Sequence, residues 1–195
     1  GHGVGDELLR TVARRLTRFA APDQPIARFG GDEFVISLPG WDHVSASMVA
    51  DRILGEIRQP MELGDNLIYA TASIGIAQSR GEGNALDLVR NADVALYRAK
   101  DTGRDRAIWF DERLKADLIR RLDLEHRLRG AIDRDGLHLE FQPTFDLRTG
   151  KATDVEALAR WVDPGLGVIS PAAFIPVAEE SGLIHRIGAW ATGSA

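Results

Sequence analysis

Hydrophobic residues in the first half of the chain follow helical and extended spacings in turn. Between Asp6 and Phe19 they recur at three- and four-residue steps with arginines between them, which predicts an amphipathic helix. Short apolar runs on either side of Gly30-Gly31 predict a β-hairpin with its turn at the two glycines. The same patterns predict a helix over 42–58, a strand over 67–77, a helix over 85–100 and a strand over 106–110. Helices and strands mixed in this way are typical of an α/β (α+β) domain.

The second half of the chain begins with a charged segment over 111–134 that carries leucines at helical spacing. This composition predicts a connecting helix rather than a flexible linker. Beyond it the pattern predicts strands over 137–145 and 153–161, and a helix that Pro171 opens and Gly182 ends. We therefore predict three parts: a first domain over 1–110, a connecting helix over 111–135 and a further fragment over 136–195.

Composition narrows the class of protein. Hydrophobic residues make up 44% and charged residues 27% of the 195 residues, which is typical of a folded soluble domain. The net charge of −5, with both signs mixed along the chain, argues against nucleic acid or an anionic membrane as the main partner. The chain contains no cysteine, so disulfides and thiolate chemistry are excluded. No apolar run approaches the roughly 20 residues of a membrane span, so we expect a cytoplasmic chain, with an upstream anchor left open.

The first candidate site is Gly30-Gly31-Asp32-Glu33. Glycines at a hairpin tip let the backbone approach a ligand closely. Adjacent carboxylates suit Mg²⁺ (or Mn²⁺), which gathers triphosphate oxygens. Taken alone, however, Gly-Gly-Asp is more often a solvated hairpin turn. Lys100 and Arg104 lie four residues apart, so on one helix face they could hold a polyanion or simply form a solvated basic helix end.

The run Arg28-Phe29-Gly-Gly-Asp-Glu-Phe34-Val35-Ile36 resembles the signature hairpin of the GGDEF family of diguanylate cyclases. Three more stretches resemble that family in the right order: Gly-His-Gly-Val-Gly-Asp at 1–6, Ala-Ser-Ile-Gly-Ile-Ala at 72–77, and 92–104. The resemblance implies a nucleotide-cyclase-like palm sheet with flanking helices. It also implies roles for the site residues. His2 and Asp6 would contact guanine, and the Gly30-Gly31 backbone would lie against the phosphates, whose β- and γ-groups Lys100 and Arg104 would hold. Asp32 and Glu33 would be metal-binding catalytic residues, with Asp32 near the 3′-hydroxyl.

The family reaction joins two GTP molecules into cyclic di-GMP, and because each domain holds one GTP, the resemblance implies a homodimer. The family's first strand, with a metal-binding aspartate and a guanine-binding asparagine, is expected upstream of Gly1. The chain starts without Met within an apparent turn and stops within an apparent helix, so we expect both ends to be cut. The family's inhibitory Arg-x-x-Asp site is not matched at 21–24, and we expect product feedback by that route to be lost.

Three stretches of the second half, 139–143, 154–161 and 169–184, resemble EAL phosphodiesterases. The resemblance implies the first strands of an incomplete TIM-type barrel, with Glu156 as a buried metal ligand at the end of a strand. Arg160 would contact substrate phosphate and Gln142 would line the pocket. The family's later ligands are not in this chain, so we expect no phosphodiesterase activity from it, because a single carboxylate cannot hold and activate a metal-bound water.

Three hypotheses remain open from the sequence. The first is a tandem protein whose GGDEF part is a cyclase and which also carries a phosphodiesterase domain. The second is a non-catalytic module that binds GTP and controls the EAL domain through the helix over 111–134. The third is a gene fragment without activity. The intact Asp32-Glu33 pair favours catalysis.

Overall fold

The computed structural model describes residues 2–19, 24–64, 66–79, 81, 84–134 and 136–194. The chain divides into two compact units, Gly1–Lys115 (unit 1) and Ala116–Ala195 (unit 2). Both units contain helices and strands, and the predicted mixed α/β class is confirmed. In the described ranges no helix has both the length and the apolar character needed to cross a membrane.

The strands of unit 1 form two-stranded sheets. β1 with β2 and β3 with β4 are antiparallel, whereas β5 and β6 are parallel. In chain order its elements are α1 His2–Leu16, β1 Ile26–Gly30, β2 Glu33–Ile36, α2 His43–Ile57, β3 Met61–Leu63, β4 Asn66–Ile68, β5 Ile74–Ile76, α3 Ala85–Asp101 and β6 Ala107–Trp109.

The core of unit 1 forms where α1 and α2 pack together with β3. Its buried members are Leu16, Val49, Ile53, Ile57, Met61 and Leu63. The apolar side chains of the β1–β2 hairpin, among them Ile26, Phe34 and Ile36, pack against this cluster. The hairpin is therefore fixed to the helices by its apolar side chains, which leaves its tip free to meet a ligand.

Arg15 ties α1 to the end of α2. Its guanidinium donates hydrogen bonds of 2.7 Å to the backbone carbonyl oxygens of Glu56, Gln59 and Pro60. The last carbonyls of a helix have no partner within it, so this arginine caps α2 from outside. At the other end, the Asp42 carboxylate accepts a 2.8 Å hydrogen bond from the backbone N–H of Ser45 and caps the first turn.

The start of the first helix and the extent of the strand over 67–77 were predicted wrongly. The helix starts at His2 instead of Asp6, so residues 2–6 are helical and form no turn; glycine weakens a helix but does not forbid one. The single strand over 67–77 is two short strands, because β4 pairs with β3 while β5 pairs with β6. β3 was not predicted, since three residues are too few to show a periodicity.

Unit 2 is built on a three-stranded antiparallel sheet in the order β7-β8-β9. The elements are α4 Glu112–Asp133, which starts shortly before the boundary, β7 Leu137–Phe145, β8 Ala152–Asp163, β9 Gly167–Ile169, α5 Pro171–Glu180 and α6 Ile184–Ser194. The predicted helix 111–134 and both predicted strands correspond to α4, β7 and β8. The apparent helix at the end of the chain corresponds to α6, whereas β9 was not predicted. No closed barrel is formed by the described residues.

The core of unit 2 is centred on Trp161 of β8 and Phe174 of α5. Their rings meet edge to face with centroids 5.7 Å apart. Around them lie the other buried residues of the cluster, Leu128, Ala131, Leu137, Ile169, Ala178, Leu183 and Ile187. The helices thus cover the base of the β7–β8 hairpin, where Leu137 and Trp161 pair, while most of the rest of the hairpin is exposed.

Asp163 is a buried carboxylate of unit 2, with an exposure of 7%. Its Oδ1 accepts hydrogen bonds from the backbone N–H groups of Gly165 and Leu166 at 2.8 and 2.9 Å, and from the Arg127 guanidinium at 3.1 Å. The Gly165 hydrogen bond, with those of Leu166 and Arg127, holds the pKa of the Asp163 carboxyl below its usual value. The ionised carboxylate therefore fixes the turn between β8 and β9.

We expect Asp163→Asn to lower the free energy of unfolding of unit 2 at pH 7, because the neutral amide keeps the shape but loses the charge. A depressed pKa contributes stability above the unfolded-state value, about 3.9, and this contribution disappears as the pH falls through the folded-state value. The difference between the two proteins should shrink below about pH 4. Amide exchange over residues 137–187 at pH 7 and pH 3 measures this difference in stability. Asp154→Asn is the control, because Asp154 is exposed. An equal difference at both pH values would contradict the assignment.

Candidate nucleotide site

The hairpin tip is the turn between β1 and β2. Gly30 pairs with Glu33, so the two turn residues are Gly31 and Asp32, one position later than predicted. Gly31 has a φ of +49°, which favours glycine. Arg28 secures the turn, because its Nε and Nη2 donate hydrogen bonds of 2.9 and 2.6 Å to the Gly31 carbonyl oxygen.

The space around this tip is open. A Cβ added at Gly30 or Gly31 would meet no atom within 4 Å. The Asp32 side chain is exposed and makes no hydrogen bond or ion pair with the residues that the structure describes. The tip therefore offers bare backbone and a free carboxylate to a ligand.

Glu33 connects the hairpin to α3. Its Oε1 lies 3.6 Å from the Nζ of Lys100, near the end of the helix. Both side chains are about half exposed, at 47% and 48%, so this ion pair contributes little stability. Its value is geometric: the contact brings a predicted phosphate-binding cation next to a predicted metal-binding carboxylate.

Arg104 was predicted to share a helix face with Lys100, and this was wrong. α3 ends at Asp101, and Arg104 lies in the following loop with a φ of +57°. Gly103, at φ +111°, ends the helix because a glycine readily turns the chain out of it. The Arg104 side chain forms no hydrogen bond or ion pair with the described residues, so it is available to an anion.

Asp6 borders a groove between α1 and the hairpin. The groove has a volume of about 420 Å³ and is lined by Asp6, Leu9, Arg10, Ala13, Thr17, Ile26, Arg28 and Phe34. The structure thus places the predicted guanine contact Asp6 on the same groove as the hairpin. The side chain of His2 lies outside the described residues, as do positions 21–23 of the unmatched product site.

The carboxylates of the hairpin tip suit a divalent cation. Within the described ranges no three histidine, aspartate or glutamate side chains cluster as metal ligands. Asp32 and Glu33, adjacent in sequence and both exposed, are oxygen donors of the kind Mg²⁺ takes. Because Mg²⁺ is commonly held by one or two carboxylates together with substrate phosphates and waters, this pair fits it.

The predicted residues of the EAL part lie on the exposed face of the β7–β8 hairpin. Gln142 and Glu156 are directly opposite each other in the ladder. Glu156 was expected to be buried at a strand end, but it is exposed and lies in the middle of β8, because β8 runs on to Asp163. Arg160 follows it on the same face, where its Nε donates a 2.7 Å hydrogen bond to Glu140.

Three contacts around these sites were not predicted from the sequence. Arg28 is separated from the two glycines by only one residue, so its position in the motif could have suggested the hydrogen bonds to the Gly31 carbonyl oxygen. Glu140 is opposite Leu158 and reaches Arg160 diagonally across the ladder, so this contact depends on the strand register. The pair Arg58–Asp105 joins residues 47 positions apart. Local spacing carries no signal for contacts of the last two kinds.

Sequence profiles of two families match the chain. The family described as "Diguanylate cyclase, GGDEF domain" matches residues 1–106, which is more than half of the chain. The family described as "EAL domain" matches residues 125–195. The order of the two matches is the order expected from the motifs.

A curated relative covers nearly the whole chain. The bifunctional diguanylate cyclase/cyclic di-GMP phosphodiesterase MucR of Pseudomonas aeruginosa is 40% identical over 191 residues, which are 97% of this chain and 28% of MucR. The cyclic di-GMP phosphodiesterase PdeR of Escherichia coli is 38% identical, over 97% of this chain and 29% of PdeR. The chain thus spans less than a third of the length of these relatives.

Solved structures agree with the family assignment. The GGDEF domain of PA1120 from Pseudomonas aeruginosa is 30% identical, with a TM-score of 0.56 over 60% of this chain and 70% of that one. The chain therefore belongs to the GGDEF family of diguanylate cyclase domains, and its C-terminal part belongs to the EAL domain family.

Proposed function

We propose that unit 1 condenses two GTP molecules into cyclic di-GMP, in a cyclic di-GMP signalling protein that also carries an EAL phosphodiesterase domain. The observation that carries this proposal is the meeting of the hairpin and the end of α3, where Lys100 lies 3.6 Å from Glu33 beside the free Asp32. The division into a GGDEF domain over 1–110, a connecting helix over 111–135 and an EAL fragment over 136–195 is part of the proposal, as is a cytoplasmic location, where GTP is present.

The proposed roles follow from charge and exposure. GTP lies with its phosphates along the open backbone of Gly30 and Gly31, where no side chain stands in the way. Lys100 and Arg104 offer two cations to the β- and γ-phosphates, because both side chains are exposed. His2 and Asp6 contact the guanine, Asp6 from its place on the groove between α1 and the hairpin.

The reaction needs positioning and charge neutralisation more than covalent chemistry from the protein. The 3′-hydroxyl oxygen of each GTP attacks the α-phosphorus of the other, the hydroxyl proton leaves, and pyrophosphate departs. Asp32 is the carboxylate beside the attacking hydroxyl and can accept its proton. Mg²⁺, held by Asp32 and Glu33, would neutralise charge on the phosphate oxygens.

Because one unit binds one GTP, the proposal requires two copies of the chain to face each other during catalysis. The homodimer and the bound GTP are proposals for this chain. A related GGDEF domain, that of DgcB from Caulobacter crescentus, has been solved in complex with c-di-GMP. It is 29% identical, with a TM-score of 0.52 over 56% of this chain and 66% of that chain, which supports cyclic di-GMP as the product.

We expect Asp32→Asn to lower the rate of cyclic di-GMP formation from GTP by about 100-fold or more, because the amide cannot accept the hydroxyl proton. The test measures magnesium-dependent product formation by the 195-residue chain. Asp87→Asn is the matched control, since Asp87 is an exposed acid in the first turn of α3 that pairs with Arg90.

Two outcomes would count against the proposal. Equal rates for the unsubstituted chain and for Asp32→Asn would show that the hairpin carboxylate does not serve the reaction. GTP binding without any product would favour the regulatory hypothesis, in which the same site binds GTP and controls the EAL domain. A calorimetric titration with GTP distinguishes these cases from a chain that does not bind GTP.

A further inference from the structure

The loop that carries Arg104 has an unusual backbone. Gly103, Arg104 and Asp105 have φ values of +111°, +57° and +50°. Glycine adopts such values freely, but a residue with a Cβ adopts a left-handed conformation at a cost in free energy, which is highest for residues other than asparagine and aspartate. Two such residues in succession persist only where surrounding contacts hold them, and strained backbone of this kind clusters at functional sites.

The contact that holds the far end of this loop comes from α2. The Nε of Arg58 lies 3.0 and 2.9 Å from the two carboxylate oxygens of Asp105, and its Nη2 donates a 3.1 Å hydrogen bond to the Asp105 carbonyl oxygen. One guanidinium thus binds both the side chain and the backbone of a left-handed residue. This forked arrangement fixes orientation as well as position.

Arg58 is itself held in place. It is the C-cap residue of α2, and its backbone N–H donates to the carbonyl oxygen of Leu54. The end of α2 is also bound by Arg15, which contacts the carbonyl oxygens of Glu56 and Gln59 on either side of Arg58. The loop is therefore attached to a fixed helix end.

The near end of the loop is fixed from α3. The backbone N–H of Arg104 donates a 3.0 Å hydrogen bond to the Ala99 carbonyl oxygen, and Arg106 Nε donates one of 3.1 Å to the Arg104 carbonyl oxygen. Both polar backbone groups of Arg104 are thus occupied, while its side chain has no partner among the residues described. The loop presents this guanidinium to solvent from a rigid backbone.

We infer that Arg58 is a positioning residue for the nucleotide site: its contact with Asp105 holds the left-handed loop that directs Arg104 towards the phosphates of GTP. Arg58 acts only through Arg104 and touches no substrate. The inference rests on the proposed function for the phosphate ligand. The loop geometry itself does not depend on that function.

The first test measures the loop without nucleotide. In Arg58→Gln the amide hydrogen of Arg104 should exchange about 5- to 10-fold faster with solvent, because the strained conformation loses its support. Heteronuclear NMR follows this amide. Arg90→Gln is the control, since Arg90 also forms an exposed ion pair, but with Asp87 of its own helix. Unchanged exchange in Arg58→Gln would overturn the inference.

The second test measures GTP affinity. We expect Arg58→Gln to weaken GTP binding by about 3- to 10-fold, corresponding to part of an arginine–phosphate contact. In an Arg104→Ala background the same substitution should have no further effect, because Arg58 acts through Arg104. A merely structural role would weaken binding equally in both backgrounds, and that result would overturn the inference.

The two tests keep failure of the inference apart from failure of the proposed function. If the unsubstituted chain binds no GTP, the proposed function fails, and the positioning of Arg104 for phosphate fails with it. If GTP binds to the unsubstituted chain and to Arg58→Gln with the same affinity, the proposed function stands and only the inference is wrong.

Discussion

Gly75→Ala is expected to lower the free energy of unfolding of unit 1 by about 3 kcal/mol, because a single added methyl group would collide with the backbone of α3. An added Cβ at Gly75 would meet the Ala92 carbonyl oxygen and the Leu96 backbone, with the Leu96 Cα at only 2.9 Å. Backbone atoms cannot rotate away as a flexible side chain can, so α3 as a whole must shift. The close packing of β5 on α3 depends on this glycine.

The shift should also reach the site. Lys100 lies near the end of α3, and its Nζ is 3.6 Å from Glu33 of the hairpin. A displaced α3 would separate these two groups, so GTP binding should weaken together with stability. Amide exchange over residues 43–57 and 85–101, measured in increasing urea, gives the stability of unit 1.

Gly55→Ala is the matched control for Gly75→Ala. Gly55 lies within α2, and a Cβ there would meet nothing within 4 Å. Alanine is a better helix former than glycine by about 1 kcal/mol, so this substitution should stabilise unit 1. The two glycine substitutions should therefore have opposite signs. A loss of stability in both would contradict the explanation by close packing.

Phe174→Ala is expected to destabilise unit 2 by about 3–5 kcal/mol, because it removes a large side chain from the centre of its core. Phe174 is fully buried, at 0% exposure, and its ring meets Trp161 edge to face at 5.7 Å. Edge-to-face pairs add about 0.5–1.5 kcal/mol to the gain from burial. The remaining residues of the core cannot fill so large a cavity.

Amide exchange over 137–187 in increasing urea measures this loss. Phe141→Ala is the matched control, since Phe141 is a phenylalanine of the same unit but is 57% exposed on β7. Its replacement should change the stability of unit 2 by less than about 1 kcal/mol. Equal losses for the two phenylalanines would show that the core is not centred on Phe174.

Much of the fold could be predicted from local patterns. The helix over 42–58 corresponds to α2 because Asp42 supplies a cap and apolar residues recur at helical spacing. The strand over 137–145 matches β7 in both its ends. The strand over 67–77 failed because periodicity describes which residues are extended, whereas the partner of each strand decides where it begins and ends.

The candidate site was only partly predictable. The hairpin Gly30-Gly31-Asp32-Glu33 is local, so its motif located the turn to within one residue. The position of Arg104 could not be derived from its distance to Lys100 along the chain, because Gly103 ends the helix between them. Spacing is a guide to a shared face only while the helix continues.

By itself the sequence determined the order of the elements, the motif residues and hence the families to which the chain belongs. Only the tertiary structure decided which of these residues meet: Lys100 with Glu33, Arg58 with Asp105, and Gly75 with the backbone of α3. The reason is physical. Backbone conformation follows from near neighbours and is visible as periodicity, whereas contacts between distant residues depend on how the completed elements pack.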